Sequence, residues 1–317
     1  MTYEEKQRRQ QRNREIFKDT ESRYAADAGL AGAVRETVRR RKLILEGDPL
    51  PETLPPQRDK RAEIIVSGRR SFEAARRYAG RKVCVLNFAS ATGPGGGVRH
   101  GSSAQEESLC RCSTLYPALA DDAMWNAFYA PHRETRSRFY NDDIIYCPDV
   151  VVFKSDGDFP ELLPGKDRYK VDVLTCAAPN LRHFEELEPE TARAFIRGGE
   201  LEKLLEKRIR RIFGVAAREG ARVLILGAFG CGAFRNPPEL VASVFRRAAE
   251  EYGRYFETIE FAVFHMDHES PNHRAFCRAF ADLTEAQAAH AEPITGAPAS
   301  EKEEISNTLV FLFCSDY

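Results

Sequence analysis

The sequence predicts an α/β fold, a sheet covered by helices on both faces. Three observations predict it. Short apolar runs rich in Val, Ile and Leu alternate with stretches of helical period from about residue 60 to 282. Two of those runs end in glycine-rich loops, where ligands bind in open α/β sheets. The chain has 317 residues and 43% hydrophobic side chains, ample material for a buried core.

The elements follow in order. Residues 1–42 carry 12 basic and 7 acidic side chains. The two signs are interleaved, which fits two solvated helices on a domain edge better than a nucleic-acid arm. Residues 47–57 are rich in proline and read as a connector. Strands are expected at 62–66 and 82–88 with a helix at 71–78 between them. Residues 93–97 (Gly-Pro-Gly-Gly-Gly) form the first loop. Helices are expected at about 103–116 and 121–132. Strand-like runs at 144–146 and 150–153 are split by Pro148, and another spans 171–177.

A long helical stretch at 189–220 carries an apolar stripe through Leu201, Leu204, Leu205, Ile209 and Ile212. Residues 222–226 read as a strand leading into the second loop, Gly227-Ala228-Phe229-Gly230-Cys231-Gly232. A helix (237–252), a strand (259–264) and a helix (272–282) follow. The tail from 283 to 317 has six acids and one base and ends in an apolar run, open to either a late strand or a docked tail. No internal repeat is apparent. The boundaries are therefore a helical extension and connector at 1–57, an α/β domain at 58–282 and an acidic tail at 283–317.

Composition excludes several classes. The 47 Lys+Arg and 48 Asp+Glu leave a net charge of -1, without the field of a bulk nucleic-acid binder. No apolar run reaches membrane-spanning length, and the charged N-terminus is unlike a secretory signal, so a cytoplasmic protein is expected. The eight cysteines then read as buried free thiols.

Neither glycine-rich loop carries a standard phosphate fingerprint. The first lacks the Gly-Lys-Ser/Thr of a Walker loop, and His100 holds the place of the third glycine of a dinucleotide motif. Seven residues beyond the glycines comes Gln105-Glu106-Glu107. Taken alone, Ser103-Ala104-Gln105-Glu106 matches a capping box, with Glu107 favouring the helix dipole.

Taken jointly, the order is an apolar strand, Asn87-Phe88-Ala89-Ser90, three glycines, then Gln105-Glu106-Glu107. It resembles the signature of poly(ADP-ribose) glycohydrolases of the microbial type, a family built on a macrodomain. The resemblance continues in Ser108-Leu109-Cys110-Arg111, Leu115-Tyr116-Pro117, residues 145–150 and residues 226–236. It covers roughly 60–280 and extends to the N-terminal helices. It departs at Gly93-Pro94, where the family commonly has Asn-Pro.

The resemblance implies a macrodomain-like three-layer α/β/α fold with a central mixed sheet, and hydrolysis of ribose–ribose O-glycosidic bonds to release ADP-ribose. Glu107 is then the acid that protonates the leaving oxygen and activates water, and Glu106 holds ribose hydroxyls. A neighbouring carboxylate and a pyrophosphate would raise the proton affinity of Glu107. Ligand contacts are expected from Ser90, Gly95, Gly96, Gly97, Val98 and Gln105 on one side. Gly230, Cys231, Gly232, Ala233, Phe234 and Asn236 supply the other, with Phe234 packing by the distal ribose. The implied ligand is poly(ADP-ribose) or ADP-ribose, the implied substrates are ADP-ribosylated proteins, and no metal or cofactor is required. A non-catalytic ADP-ribose reader and a hydrolase of mono-ADP-ribose conjugates are the alternatives. A reader has no need of a general acid.

Other constellations carry less. His265-Met266-Asp267-His268 lacks the helical spacing of a zinc hydrolase. Cys110 and Cys112 diverge on a helix. No Gly-x-Ser-x-Gly elbow occurs. Arg99 is open to phosphate binding or a solvated loop role, and Trp125 and Phe128 read as core.

Overall fold

Seven strands form one mixed sheet in the order β1-β4-β5-β3-β6-β7-β2. The computed structural model describes residues 2–49, 54–135, 137–182, 189–265 and 270–290. The strands are β1 (Lys42–Ile44), β2 (Glu63–Ser67), β3 (Val83–Phe88), β4 (Ile144–Val152), β5 (Tyr169–Cys176), β6 (Val223–Leu226) and β7 (Thr258–Ala262). From β5 to β2 every pairing is parallel, whereas β1 and β4 add to the β5 edge antiparallel. Met1–Ala281 forms one compact unit.

The parallel strands are buried on both faces, as their near-continuous apolar sequences require. On one face Val83, Val85, Val223 and Ile225 pack with Phe17, Phe72, Leu109 and Leu115 in one core cluster. Those four residues come from helices α1 (Tyr3–Ala26), α3 (Ser71–Arg76), α4 (Gln105–Cys112) and α5 (Leu115–Leu119). Helix α2 (Ala28–Arg40) lies between α1 and β1 in the chain. On the other face Phe261 meets Phe245 and Phe276, both at 5.5 Å between ring centroids. A side chain of this size, fully buried, contributes about 1.5–3 kcal/mol.

Several expected elements are divided or joined, each for a local reason. The helix expected at 103–116 ends at Cys112 because Ser113 turns extended and bridges Val152. The Cys112 carbonyl there accepts from Phe153 and Lys154 instead of continuing the helix. Residues 121–132 form a short helix α6 (Asp122–Met124), a π turn (Trp125–Tyr129) and α7 (Ala130–Thr135). The two runs about Pro148 make one strand, β4. Its register shifts between Cys147 and Val150, so Pro148 falls in a bulge that asks no ladder hydrogen bond of it.

The long helix at 189–220 is broken into α8 (Pro189–Arg197) and α9 (Glu200–Arg218) at Gly199, whose φ is +77°. Helices α10 (Pro238–Tyr252) and α11 (Pro271–His290) complete the set. Lys42–Ile44 forms a strand where composition reads only a helix end and a connector. The apolar run at 309–313 and residues 266–269 of the His-Met-Asp-His segment lie outside the described residues. Cys84, Cys110, Cys112, Cys147 and Cys176 are buried free thiols, and Cys231 and Cys277 are half-buried and form no disulfide among the described residues.

Candidate active site

β3 and β6 are parallel neighbours, so the two glycine-rich loops leave the sheet side by side at its carboxyl end. The first loop and the start of α4 build a nest around two carboxyls. Helix α4 begins at Gln105 with Ala104 as its cap residue and no side-chain cap bond. The capping-box reading of Ser103 and Glu106 is therefore overturned. The Glu106 carboxyl reaches across to the end of β3, where its Oε2 accepts from the Ser90 N–H at 2.8 Å. Its Oε1 accepts from Asn87 Nδ2 at 3.3 Å, and Asn87 is held in turn by Thr175 Oγ1 at 3.1 Å.

Glu106 is 3% exposed and Glu107 is 7% exposed. Glu107 Oε1 accepts from the Gly97 N–H at 2.8 Å. Its Oε2 is buried and has no hydrogen-bond partner among the described residues. A carboxylate oxygen left unpaired costs about 1–3 kcal/mol, the kind of cost kept at functional groups. Burial pushes the Glu106 carboxyl up to about 8; the Ser90 N–H opposes this and the Glu107 charge adds to it. The pair thus holds a proton more firmly than a free carboxylate does.

The glycines admit this pair. Gly96 has φ +58°, and a Cβ there would meet both carboxyls. A side chain on Gly97 would strike Ser102, and one on Gly95 (φ +66°) would strike Tyr116. The Gly96, Val98 and His100 N–H groups close tight turns onto residues 93, 95 and 97. The anion that this loop's backbone meets is the protein's own carboxyl pair. Val98 is fully buried and contributes packing. Gln105 staples α4 to β3: its Oε1 accepts from Phe88 N–H at 2.9 Å, and its Nε2 donates to the Leu86 carbonyl at 2.8 Å.

Helix α1 supports the same loop from behind. Asn13 is buried and its Nδ2 donates to the Gly101 carbonyl at 3.0 Å. A Cβ on Gly101 would collide with the Gln10 carbonyl. Phe17 packs edge-on against Tyr116 at 5.0 Å. Arg99 donates to Tyr116 Oη at 2.7 Å and pairs with Glu21 at 2.8 Å, so it ties the loop to α1.

The second loop borders a cleft of about 330 Å³ lined by Phe88, Ala89, Gln105, Gly230, Phe234 and Phe264, among others. Gly232 and Ala233 also line it; Ser90, Gly95, Gly96, Gly97, Val98, Glu106, Glu107, Cys231 and Asn236 do not. Asn236 is buried and closes the loop from below: its Nδ2 donates to the Pro179 carbonyl at 2.7 Å and the Gly230 carbonyl at 3.1 Å. Gly230 (φ +75°) leaves room for Ala178 and Asn236. Burial pushes the Cys231 thiol up, which makes it an inert small residue. The N–H groups of Gly232, Ala233 and Phe234 donate to no acceptor among the described residues. The nest adjoins this cleft directly, since Phe88-Ala89 run into Ser90 and Gln105 runs into Glu106.

Sequence reasoning missed three cleft residues. Phe264 is 43% exposed just past β7, with the Arg70 guanidinium 3.9 Å over its ring. Asp156 is buried and accepts from Ser108 Oγ at 2.7 Å and the Phe72 N–H at 3.0 Å. An apolar residue at a strand end reads as core, so nothing in the sequence marks Phe264. Of the two aromatic residues read as core, Phe128 is buried and Trp125 is partly exposed. A larger open hollow of about 640 Å³ lies by β1, lined by Lys42, Leu43 and Arg218, and shares no residue with either loop.

The fold and this site define a macrodomain-like α/β protein built around two adjacent buried carboxyls. Residues 11–155 match the family model described as microbial-type PARG, catalytic domain. The chain is similar to a poly(ADP-ribose) glycohydrolase (PARG) from Thermomonospora curvata at 33% identity and TM-score 0.74, over 85% of this chain and 100% of that one. It is also similar to the inhibitor-bound form of that enzyme, in complex with ADP-HPD, at 35% identity and TM-score 0.71 over the same shares. A PARG from Deinococcus radiodurans in complex with ADP-ribose matches at 35% identity and TM-score 0.68, over 79% of this chain and 98% of that one. No curated protein matches. The chain belongs to the microbial-type PARG family.

Proposed function

We propose that this protein is a poly(ADP-ribose) glycohydrolase that hydrolyses the ribose–ribose bonds of ADP-ribose polymers. The observation that carries the reading is the Glu106–Glu107 pair at the start of α4. Glu107 has one oxygen fixed by the Gly97 N–H and the other without a partner among the described residues. A fixed orientation and an unsatisfied oxygen suit a general acid, which completes its hydrogen bonding when the substrate seats beside the nest. Glu107 protonates the leaving ribose oxygen, then takes a proton from water as it attacks the oxocarbenium-like carbon. Glu106 holds a ribose hydroxyl by a hydrogen bond, and the proton the carboxyl pair retains passes from Glu107 to the leaving oxygen.

The second loop holds the pyrophosphate with the N–H groups of Gly232, Ala233 and Phe234. Phe234 packs against the reacting ribose. ADP-ribosylated proteins carrying the polymer are the substrates. No helix among the described residues is long and apolar enough to cross a membrane. The free thiols support a reducing, cytoplasmic location.

The test compares wild type with Glu107→Gln. Wild type releases ADP-ribose from polymer, and the variant loses about 10²–10⁴-fold in turnover while still binding ADP-ribose by calorimetry. Binding without any cleavage by wild type would leave only the reader. Equal turnover in the variant would remove Glu107 from the acid role.

A further inference from the structure

Among the described residues three non-glycine residues have positive φ, and two of them flank Phe234: Tyr140 at +54° and Arg235 at +58°. The third, Asp149, belongs to the β4 bulge. A bulky side chain in the left-handed region is strained, and it persists only where the surroundings hold it.

What holds Tyr140 is a buried clamp. Arg208 is fully buried; its Nε donates to Asp142 at 2.7 Å. Its other nitrogens donate to the Ala177 carbonyl at 2.7 Å and the Phe139 carbonyl at 3.1 Å. This ties the segment bearing Tyr140 to the end of β5. The Asn180 N–H donates to the Arg138 carbonyl at 2.8 Å, and Asn180 Nδ2 donates to Tyr140 Oη at 3.4 Å. The His132 ring lies edge-on at 5.9 Å.

What Tyr140 meets is Phe234, with ring centroids 6.1 Å apart and planes at 49°. The backbone of Phe234 is fixed separately, its carbonyl accepting from the Leu181 N–H at 2.9 Å. That bond fixes the main chain but leaves the ring to be oriented by its neighbour.

We propose that Tyr140 is a positioning residue for catalysis: its strained backbone turns its ring onto Phe234 and fixes the aromatic wall of the cleft. The inference rests on the reading that Phe234 packs against the reacting ribose. Tyr140 does not line the cleft; it acts through Phe234.

The experiment uses Tyr140→Gly, Tyr140→Phe, Phe234→Ala and the double variant Tyr140→Gly/Phe234→Ala, with poly(ADP-ribose) as substrate. Glycine accepts the positive φ, so relief of strain offsets part of the lost ring packing and Tyr140→Gly stays within a few degrees of the wild-type Tm. Its kcat falls about tenfold through misplacement of the bound ribose, with KM within about twofold. Tyr140→Phe keeps the ring and restores kcat. The double variant is no slower than Phe234→Ala alone. Additive losses in the double variant, or a kcat that falls only as Tm falls, would overturn the proposal. So would wild-type kcat in Tyr140→Gly alongside an impaired Phe234→Ala. Wild-type kcat in Phe234→Ala would instead bring down the reading of Phe234, and the role of Tyr140 with it.

Discussion

Gly96 and Glu107 share one volume: a Cβ built on Gly96 would lie 2.6 Å from Glu107 Oε1, and 2.9 Å from Glu106 Oε2. The triple glycine therefore makes room for the carboxyl pair before it makes room for any ligand. The resemblance expects a ligand contact at Gly96, which a side chain there would obstruct. The geometry shows that it would displace the carboxyls.

Gly96→Ala is expected to lose about 100-fold in turnover, the usual cost of moving a reacting group by an ångström. It should also lose about 1–2 kcal/mol of stability, because alanine is strained at φ +58°. Polymer hydrolysis and denaturant unfolding measure the two effects separately. Wild-type turnover would show that the carboxyls tolerate displacement.

Glu106 makes stability depend on pH with a definite sign. Its folded carboxyl titrates at about 8 against an ordinary value of 4.5. Between those values the folded chain keeps a proton that the unfolded chain has released. The stability tied to that proton is complete below pH 4.5 and is lost as pH rises through 8. Glu106→Gln cannot titrate. Its Tm minus that of wild type should therefore grow between about pH 5 and 8, as read by calorimetric scans. A difference that stays flat or shrinks contradicts the assignment.

Asn13 links α1 to the catalytic loop through the Gly101 carbonyl. Asn13→Ala leaves that carbonyl unpaired, and the expected loss is about 1–3 kcal/mol in unfolding free energy, with lower kcat. Arg8→Ala, on the exposed side of the same helix, is the control and should change stability by less than about 0.5 kcal/mol. If both variants behave like wild type, α1 does not support the loop.

Asn236 closes the second loop by bonding two carbonyls from beneath. Asn236→Ala should lower stability by about 1–3 kcal/mol and weaken ADP-ribose binding in calorimetry. Lost stability with unchanged affinity would mean that the loop holds its shape without this strut.

Much of the site was legible because its parts are close in sequence. The strand end, the glycines and Gln105-Glu106-Glu107 fall within residues 83–107, and their order alone carries the resemblance. The second loop is equally continuous. The roles inside these segments were harder to read. Gln105 and Asn236 turn their amides onto backbone carbonyls and amides, and the raised carboxyl is that of Glu106. Which way a polar side chain turns depends on buried donors that come from other elements.

The sequence alone determined the alternation of buried strands and helices, since apolar period and length are local properties of the chain. It also determined the carboxyl pair and the glycines that admit it. Only the tertiary structure decided that β3 and β6 are neighbours, so that the two loops meet. It also placed Asn13 behind Gly101, Arg70 over Phe264, and Tyr140 against Phe234. Each of those contacts joins residues about 90 to 190 positions apart, and long-range pairing is set by the packing of the whole sheet rather than by local spacing.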